Sequence, residues 1–165
     1  MNREPAMTTR QARPTTTSRR TRQRGVAAVE FGLVAMVLLT LVMGAVEFGR
    51  AMNQYAALTR SVRSAVRHLS EKAPGDATPI TEARNLAVYG STTAGTTALV
   101  SGLTTAMVTV LDASSSSDHK LQSTGRGTIN LVEVRISGLQ FQPMASWVLP
   151  AFTFSPISAS MRQGL

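Results

Sequence analysis

The segment that decides the fold reads RGVAAVEFGLVAMVLLTLVMGAVEFGR and covers residues 24–50. Residues 31–46 carry no charge, and widening the segment to 26–48 adds only Glu30 and Glu47. As an α-helix these 23 residues would be about 35 Å long, enough to cross a hydrocarbon core of about 30 Å. The alternative is a buried core helix, but a small soluble domain has too little material to surround it. We therefore predict a transmembrane helix over residues 26–49, in contact with the lipid bilayer.

The positive charge of the chain is concentrated before this helix. The formal net charge is +8, to which residues 1–25 contribute +6, residues 26–70 contribute +2 and residues 71–165 contribute zero. A C-terminal part without a basic surplus argues against nucleic acid as a partner. Positive residues beside a span stay in the cytoplasm, and the nearest are Arg19, Arg20, Arg22 and Arg24. The N-terminus is therefore expected to be cytoplasmic and the C-terminal part extracytoplasmic.

The regions on either side of the span have different patterns. Residues 1–25 are rich in Pro, Thr, Gln and Arg, which predicts a disordered basic leader. Residues 50–72 are predicted to continue the helix, to a total of about 45 residues, as an amphipathic segment ending near Pro74-Gly75. Its apolar face is predicted to consist of Tyr55, Leu58, Val62, Ala65, Val66 and Leu69, and its polar face of Arg60, Arg63 and Arg67.

Residues 73–165 contain short elements typical of a small α+β domain. A short helix is predicted from Thr81, as N-cap, to Tyr89, followed by a loop over 91–105. Strands are predicted over 106–111, over 129–136, where apolar and polar residues alternate, and over 152–161, where Pro156 implies an edge or a break. The predicted fold class is α+β, with the long N-terminal helix packed on a small antiparallel sheet.

The junction at Gly25 resembles the prepilin signal of type IV pilins. In that family a membrane aspartic peptidase cuts after the Gly, on the cytoplasmic face. Gly leaves the backbone unhindered for such a peptidase. Cleavage would turn Val26 into a new N-terminal amine, four residues from Glu30 and hence on the same helix face. A carboxylate in an apolar span is costly, so Glu30 is a candidate for function; a Glu that only reaches the interface is the alternative. The amine and the carboxylate could pair within one chain or between neighbouring subunits, and the resemblance implies the latter.

A narrower resemblance follows from the outer end of the span. The two elements Glu30-Phe31 and Glu47-Phe48, the second leading to Arg50, are similar to the TadE-like family of the tight-adherence (Tad, or Flp) type IVb pilus. The family implies a minor pilin or pseudopilin in the bacterial inner membrane, pilin-like in fold, processed by prepilin peptidase. It further implies that the protein acts in surface adherence with other pilin subunits and the Tad assembly machinery. On residues alone, the Glu47–Arg50 pair is as readily an exposed ion pair as an assembly contact.

No motif for catalysis or cofactor binding is found in the sequence. It has no Cys and two His, and the P-loop, dinucleotide, zincin and nucleophile-elbow patterns are missing. We therefore predict a non-catalytic protein without cofactor or metal; an enzyme tethered to the membrane is less favoured. The alternative function is an unprocessed single-span protein whose outer domain is a binding module. Trp147, with Met144, Leu149 and Phe152, is assigned either to the core or to a patch that docks a partner.

Overall fold

The computed structural model describes residues 18–164, with side chains from residue 25 onward. Its first element is helix α1, Ser18–Ser70, of 53 residues. The helix thus begins before Gly25 and includes residues 18–24, which the sequence analysis assigned to a disordered leader. Arg and Gln are good helix formers, and adding residues to an existing helix avoids the cost of nucleation. The remainder of the predicted leader lies outside the described residues.

The chain divides into two compact units, one up to Leu41 and one from Val42 onward. In the second unit, α1 contributes the predicted apolar face to the core, with Leu58, Val62 and Val66 fully buried. Tyr55 is an exception, because it remains 45% exposed and only touches Phe154 at a ring-centroid distance of 6.4 Å. The arginines predicted on the opposite face are exposed.

The second helix, α2, spans Ala77–Tyr89 and begins four residues before the predicted start. Asp76 is its N-cap, with a side chain that accepts a hydrogen bond from Thr78 N at 3.1 Å. Thr81, the predicted cap, lies inside the helix and donates to the Ala77 carbonyl at 2.9 Å. Pro79 lies in the first turn of α2, where proline is tolerated. The helix ends at Gly90 with φ of 74°, as predicted.

The main sheet is antiparallel and is built around one central strand, β3. Its strands are β1 (Val108–Leu111), β2 (Gln122–Ser123), β3 (Thr128–Ile136) and β6 (Ile157–Gln163). β1 and β6 lie on opposite sides of β3, so that Val134 pairs with both Val110 and Ala159. The alternation predicted for β3 is confirmed, because Val132, Val134 and Ile136 are buried in the core that α1 and α2 share.

A second, two-stranded sheet pairs β4 (Gln140–Phe141) with β5 (Phe152–Thr153). The predicted strand over 152–161 is therefore two strands in different sheets, separated at Pro156, which cannot donate to a ladder. The predicted strand over 106–111 is shorter than expected, because Thr105–Met107 form a 3-10 turn. The α+β fold class, with a long apolar helix, a short helix and small antiparallel sheets, is confirmed.

Candidate functional site

The N-terminal half of α1 is largely apolar from residue 25 onward, and every side chain over 25–46 is at least partly exposed. It is long and apolar enough to cross a membrane, with a mean hydropathy of 2.4 over its most apolar stretch, none of which is buried. Its large side chains are exposed along their length, including Phe31 at 75%. An apolar surface of this extent marks contact with lipid or with other proteins. The predicted transmembrane character thus agrees with both sequence and structure.

The predicted processing junction lies on this apolar half. Among the described residues, no atom other than the neighbouring helix backbone lies within 4 Å of the position that a Cβ on Gly25 would take. Val26 and Glu30 are both exposed and lie one helical turn apart, so they share a face. Among residues 25–164, no ion pair involves Glu30. The carboxylate is thus available to a group on another chain, or to a new amine at Val26.

The second acidic residue of the helix has entirely different surroundings. Glu47 is only 1% exposed, and its Oε2 accepts a hydrogen bond from Arg50 Nη1 at 2.6 Å. Its Oε1 accepts from the backbone amides of Met144 and Ala145 at 2.9 and 3.3 Å. One guanidinium and two backbone amides thus donate hydrogen bonds to the two carboxylate oxygens, and these bonds offset the cost of burying the charge. The predicted Glu47–Arg50 pair is present, and of its two alternatives the exposed pair does not apply to Glu47, whose side chain is buried.

The aromatic residues near the Glu47–Arg50 pair differ in their exposure to solvent. The Arg50 guanidinium lies 5.5 Å from the centroid of the Phe141 ring, within the range of a cation–π contact. Phe141 is fully buried and packs against Phe152 and Phe154. Phe48, by contrast, is exposed on the helix surface. Of the two alternatives for Trp147, the core is excluded, because the side chain is 67% exposed.

Sequence reasoning missed the contact between Glu47 and the segment 144–145. The two partners are 97 and 98 positions apart, and backbone amides leave no trace in a residue pattern. The available signal was compositional. Residues 136–161 contain no Asp, Glu, Lys, Arg or His, although they follow a strand with both charges. An uncharged stretch of this length, with exposed apolar side chains in it, indicates a surface that contacts lipid or another protein.

The Ser-rich turn at residues 114–117 is a loop held by hydrogen bonds to Asp112. Asp112 is buried, and its Oδ1 accepts hydrogen bonds from Ser114 and Ser115 while its Oδ2 accepts from Gly75 N at 2.8 Å. Burial raises the pKa of Asp112, but these hydrogen bonds outweigh it and lower the pKa to about 2. His119 bonds instead to Glu133, at 3.2 Å. Over the described residues, no group of three His, Cys, Asp or Glu is placed to hold a metal.

A long apolar helix whose C-terminal half packs on a small α+β domain defines a pilin-like, membrane-anchored protein. Residues 25–67 match the family model described as TadE-like protein, so this segment of the chain is TadE-like. The match begins at the predicted cleavage residue and covers the apolar half of α1 with most of its amphipathic half. It does not extend to the sheets. No curated protein and no solved structure matches the chain.

Proposed function

We propose that this protein is a minor pilin or pseudopilin of a Tad-type pilus, acting in surface adherence as a structural or assembly subunit without catalytic activity. Its domains would be a prepilin-type leader over 1–25, a transmembrane helix over 26–49, its amphipathic continuation over 50–72 and an extracytoplasmic domain over 73–165. The protein would be held in the bacterial inner membrane with its N-terminus in the cytoplasm. Its partners would be the bilayer, prepilin peptidase, other pilin subunits and the Tad assembly machinery.

One observation carries this proposal. Within the TadE-like segment, an exposed carboxylate lies one turn from Val26 on a helix face that is otherwise apolar. In lipid such a carboxylate is costly unless it finds a partner. After cleavage at Gly25, the amine of Val26 would be that partner, with a reference pKa of about 7.7–8.0 and hence a positive charge at neutral pH. Between two subunits, this pair would set the register at which apolar helices pack.

The remaining site residues have different parts in the proposal. Phe31 and Phe48 are exposed apolar groups, near the two ends of the span, that a neighbouring helix would cover. Glu47 and Arg50 are occupied within their own chain, so their contribution to assembly would be indirect. We propose that they hold the outer end of the helix against the domain, and that the subunit contact itself is made elsewhere.

The test is the intact mass of the protein purified from its native membrane, combined with its recovery in sheared filaments. We expect the wild-type chain to begin at Val26. We expect Glu30→Gln to be inserted and cleaved in the same way, but to be lost from the assembled fraction, because it cannot pair with the amine. Glu71→Gln is the matched control, since Glu71 is an exposed carboxylate outside the span, and its assembly should equal that of the wild type.

Two outcomes would contradict the proposal. A mature chain that keeps its leader would support the alternative, an unprocessed single-span protein whose outer domain is a binding module. Unchanged assembly of Glu30→Gln, with normal cleavage, would show that the carboxylate does not set the subunit register.

A further inference from the structure

The loop between β4 and β5, residues 142–151, has a composition unlike the rest of the domain. It lies in the middle of the uncharged stretch 136–161 and reads QPMASWVLPA. Trp147, the only tryptophan of the chain, is at its centre. Charged residues are present elsewhere in the domain, in the turns and strands between residues 71 and 135. The β4–β5 loop is therefore selectively apolar rather than part of a generally apolar surface.

This loop lies beside the outer end of the apolar helix. Two of its amides donate to the Glu47 carboxylate, as described above. Val148 packs over Gly44, where an added Cβ would be 3.5 Å from Val148 Cγ1. Gly44 belongs to the uncharged run 31–46 and precedes Arg50 by six residues, or about 9 Å along the helix axis. The loop thus reaches the level at which α1 is already apolar.

The most exposed side chains of the loop are large and apolar. Met144 is 81% exposed and Trp147 is 67% exposed, and the helix segment that the loop contacts also exposes Val46 and Phe48. Tryptophan is enriched at membrane–water interfaces, because its ring is apolar while its indole N–H can bond to headgroups or water. The loop thus adds exposed apolar side chains next to a helix end that it contacts at Gly44 and Glu47.

Most backbone amides between the two prolines of the loop have a hydrogen-bond acceptor, which matters in surroundings poor in water, where each unsatisfied amide is costly. Pro143 and Pro150 have no N–H. The amides of Val148 and Leu149 both donate to the Ala145 carbonyl, at 2.9 and 3.2 Å. Two further amides are taken by the Glu47 carboxylate. Most of the donors between the two prolines therefore already have an acceptor in the same chain.

We propose that the β4–β5 loop inserts into the outer headgroup region of the bilayer that α1 spans, with Trp147 and Met144 in contact with lipid. Glu47 is the positioning residue, because its carboxylate ties the loop to the helix at this depth. The ligand is a lipid surface, and the proposal needs only that α1 spans a membrane, not that the protein is cleaved or assembled into a pilus. The domain would then have two membrane contacts, which restricts its tilt on the helix.

The single tryptophan allows a direct test on the full chain, reconstituted in phosphatidylcholine–phosphatidylglycerol vesicles. We expect Trp147 emission to be blue-shifted, to be quenched strongly by lipids brominated near the headgroup, and to be quenched several-fold less by aqueous acrylamide than free tryptophan. Lipids brominated near the end of the acyl chain should quench less, because the loop reaches only the outer boundary of the core.

A pair of variants tests the positioning residue. In Glu47→Ala the loop loses its tie to the helix, so we expect a red shift and greater acrylamide quenching of Trp147. Glu71→Ala is the control, and should leave both signals unchanged. Hydrogen exchange of the β3 amides shows whether each variant is still folded. If Glu47→Ala unfolds the domain, the wild-type quenching by shallow and deep bromines remains the deciding measurement.

Either of two results would overturn the proposal. Strong acrylamide quenching in the wild type, without an effect of brominated lipid, would place the loop in water. Protection from both quenchers would show that protein covers it, as in contact with a second copy of the chain. Since neither readout depends on cleavage or on filaments, failure here is distinguishable from failure of the pilus role.

Discussion

The two halves of α1 contain similar apolar residues in opposite surroundings. In the N-terminal half Leu38 is exposed, whereas in the C-terminal half Leu58 is almost completely buried. Within the N-terminal half, residues 31–46 carry no charge on any side of the helix, so no single face is set apart for burial against a small domain. The C-terminal half has an apolar face opposite its arginines, and that face meets the sheet and α2. The distribution of apolar residues around the helix, rather than their number, decides which solvent each half requires.

The largest expected effect comes from placing the same charge in both halves. Val66→Arg buries an unpaired charge in the core and should cost more than about 4 kcal/mol, which unfolds the domain. Leu38→Arg should leave the domain folded but disfavour membrane insertion by about 2.5–3.5 kcal/mol. Hydrogen exchange of the β3 amides reports the first effect, and the membrane-bound fraction of the protein reports the second. Equal loss of β3 protection in both variants would refute the contrast.

A smaller effect is expected from removing the same volume in both halves. Leu58→Ala leaves a cavity in the core and should lower the free energy of unfolding by about 2–5 kcal/mol. Exchange of the β3 amides would then be at least about thirty-fold faster, since 1.4 kcal/mol corresponds to a factor of ten. Leu38→Ala creates no cavity, so the exchange rate should match that of the wild type. A protected β3 in Leu58→Ala would mean that this half of the helix is not part of the core.

The smallest effect concerns the turn that follows α1. Asp112 bonds to Gly75, and its pKa of about 2 in the folded protein lies below its ordinary value of 3.8. The folded state therefore binds this proton less readily than the unfolded state, so the stabilisation is complete above pH 3.8 and is lost as the pH falls toward 2. We expect Asp112→Asn to cost about 1–2 kcal/mol at pH 7.

This variant should also flatten the dependence of stability on pH between 4 and 2. Urea unfolding of the reconstituted protein, followed at several pH values, measures both quantities. Asp118→Asn is the control, because Asp118 is exposed in the same loop. A variant with the wild-type acid profile would show that the Asp112 hydrogen bonds do not contribute to stability in this range.

Local residue patterns were sufficient to predict elements whose structure depends on short-range periodicity. The buried face of α1 and the alternation of β3 follow from periods of 3.6 and 2 residues, and both are confirmed. The end of α2 at Gly90 was predictable, since glycine readily adopts the positive φ found there. The start of α2 was predicted wrongly because Thr81 and Asp76 are both good caps, and residue type alone does not decide between them.

The candidate site contains residues whose placement was predictable from local spacing and one residue, Glu47, whose placement was not. Val26 and Glu30 are four residues apart, so helical spacing alone places them on one side of α1. Gly25 directly precedes Val26, and the roles of all three residues stay predictions. The environment of Glu47 was not predictable, since its acceptors are met by amides almost a hundred residues away. Its residue type left an exposed pair and an assembly contact open, whereas the structure buries Glu47 within its own chain.

The sequence by itself determined that this chain has one helix suited to lipid, a TadE-like start and an α+β domain, because these depend on composition and on periods within short segments. Only the tertiary structure decided that Glu47 is a buried tie, that Phe152 and Ile157 belong to different sheets, and that Trp147 is exposed beside the helix end. Those features depend on which distant backbone groups meet, and hydrogen bonding between distant backbone groups is set by packing rather than by local residue pattern.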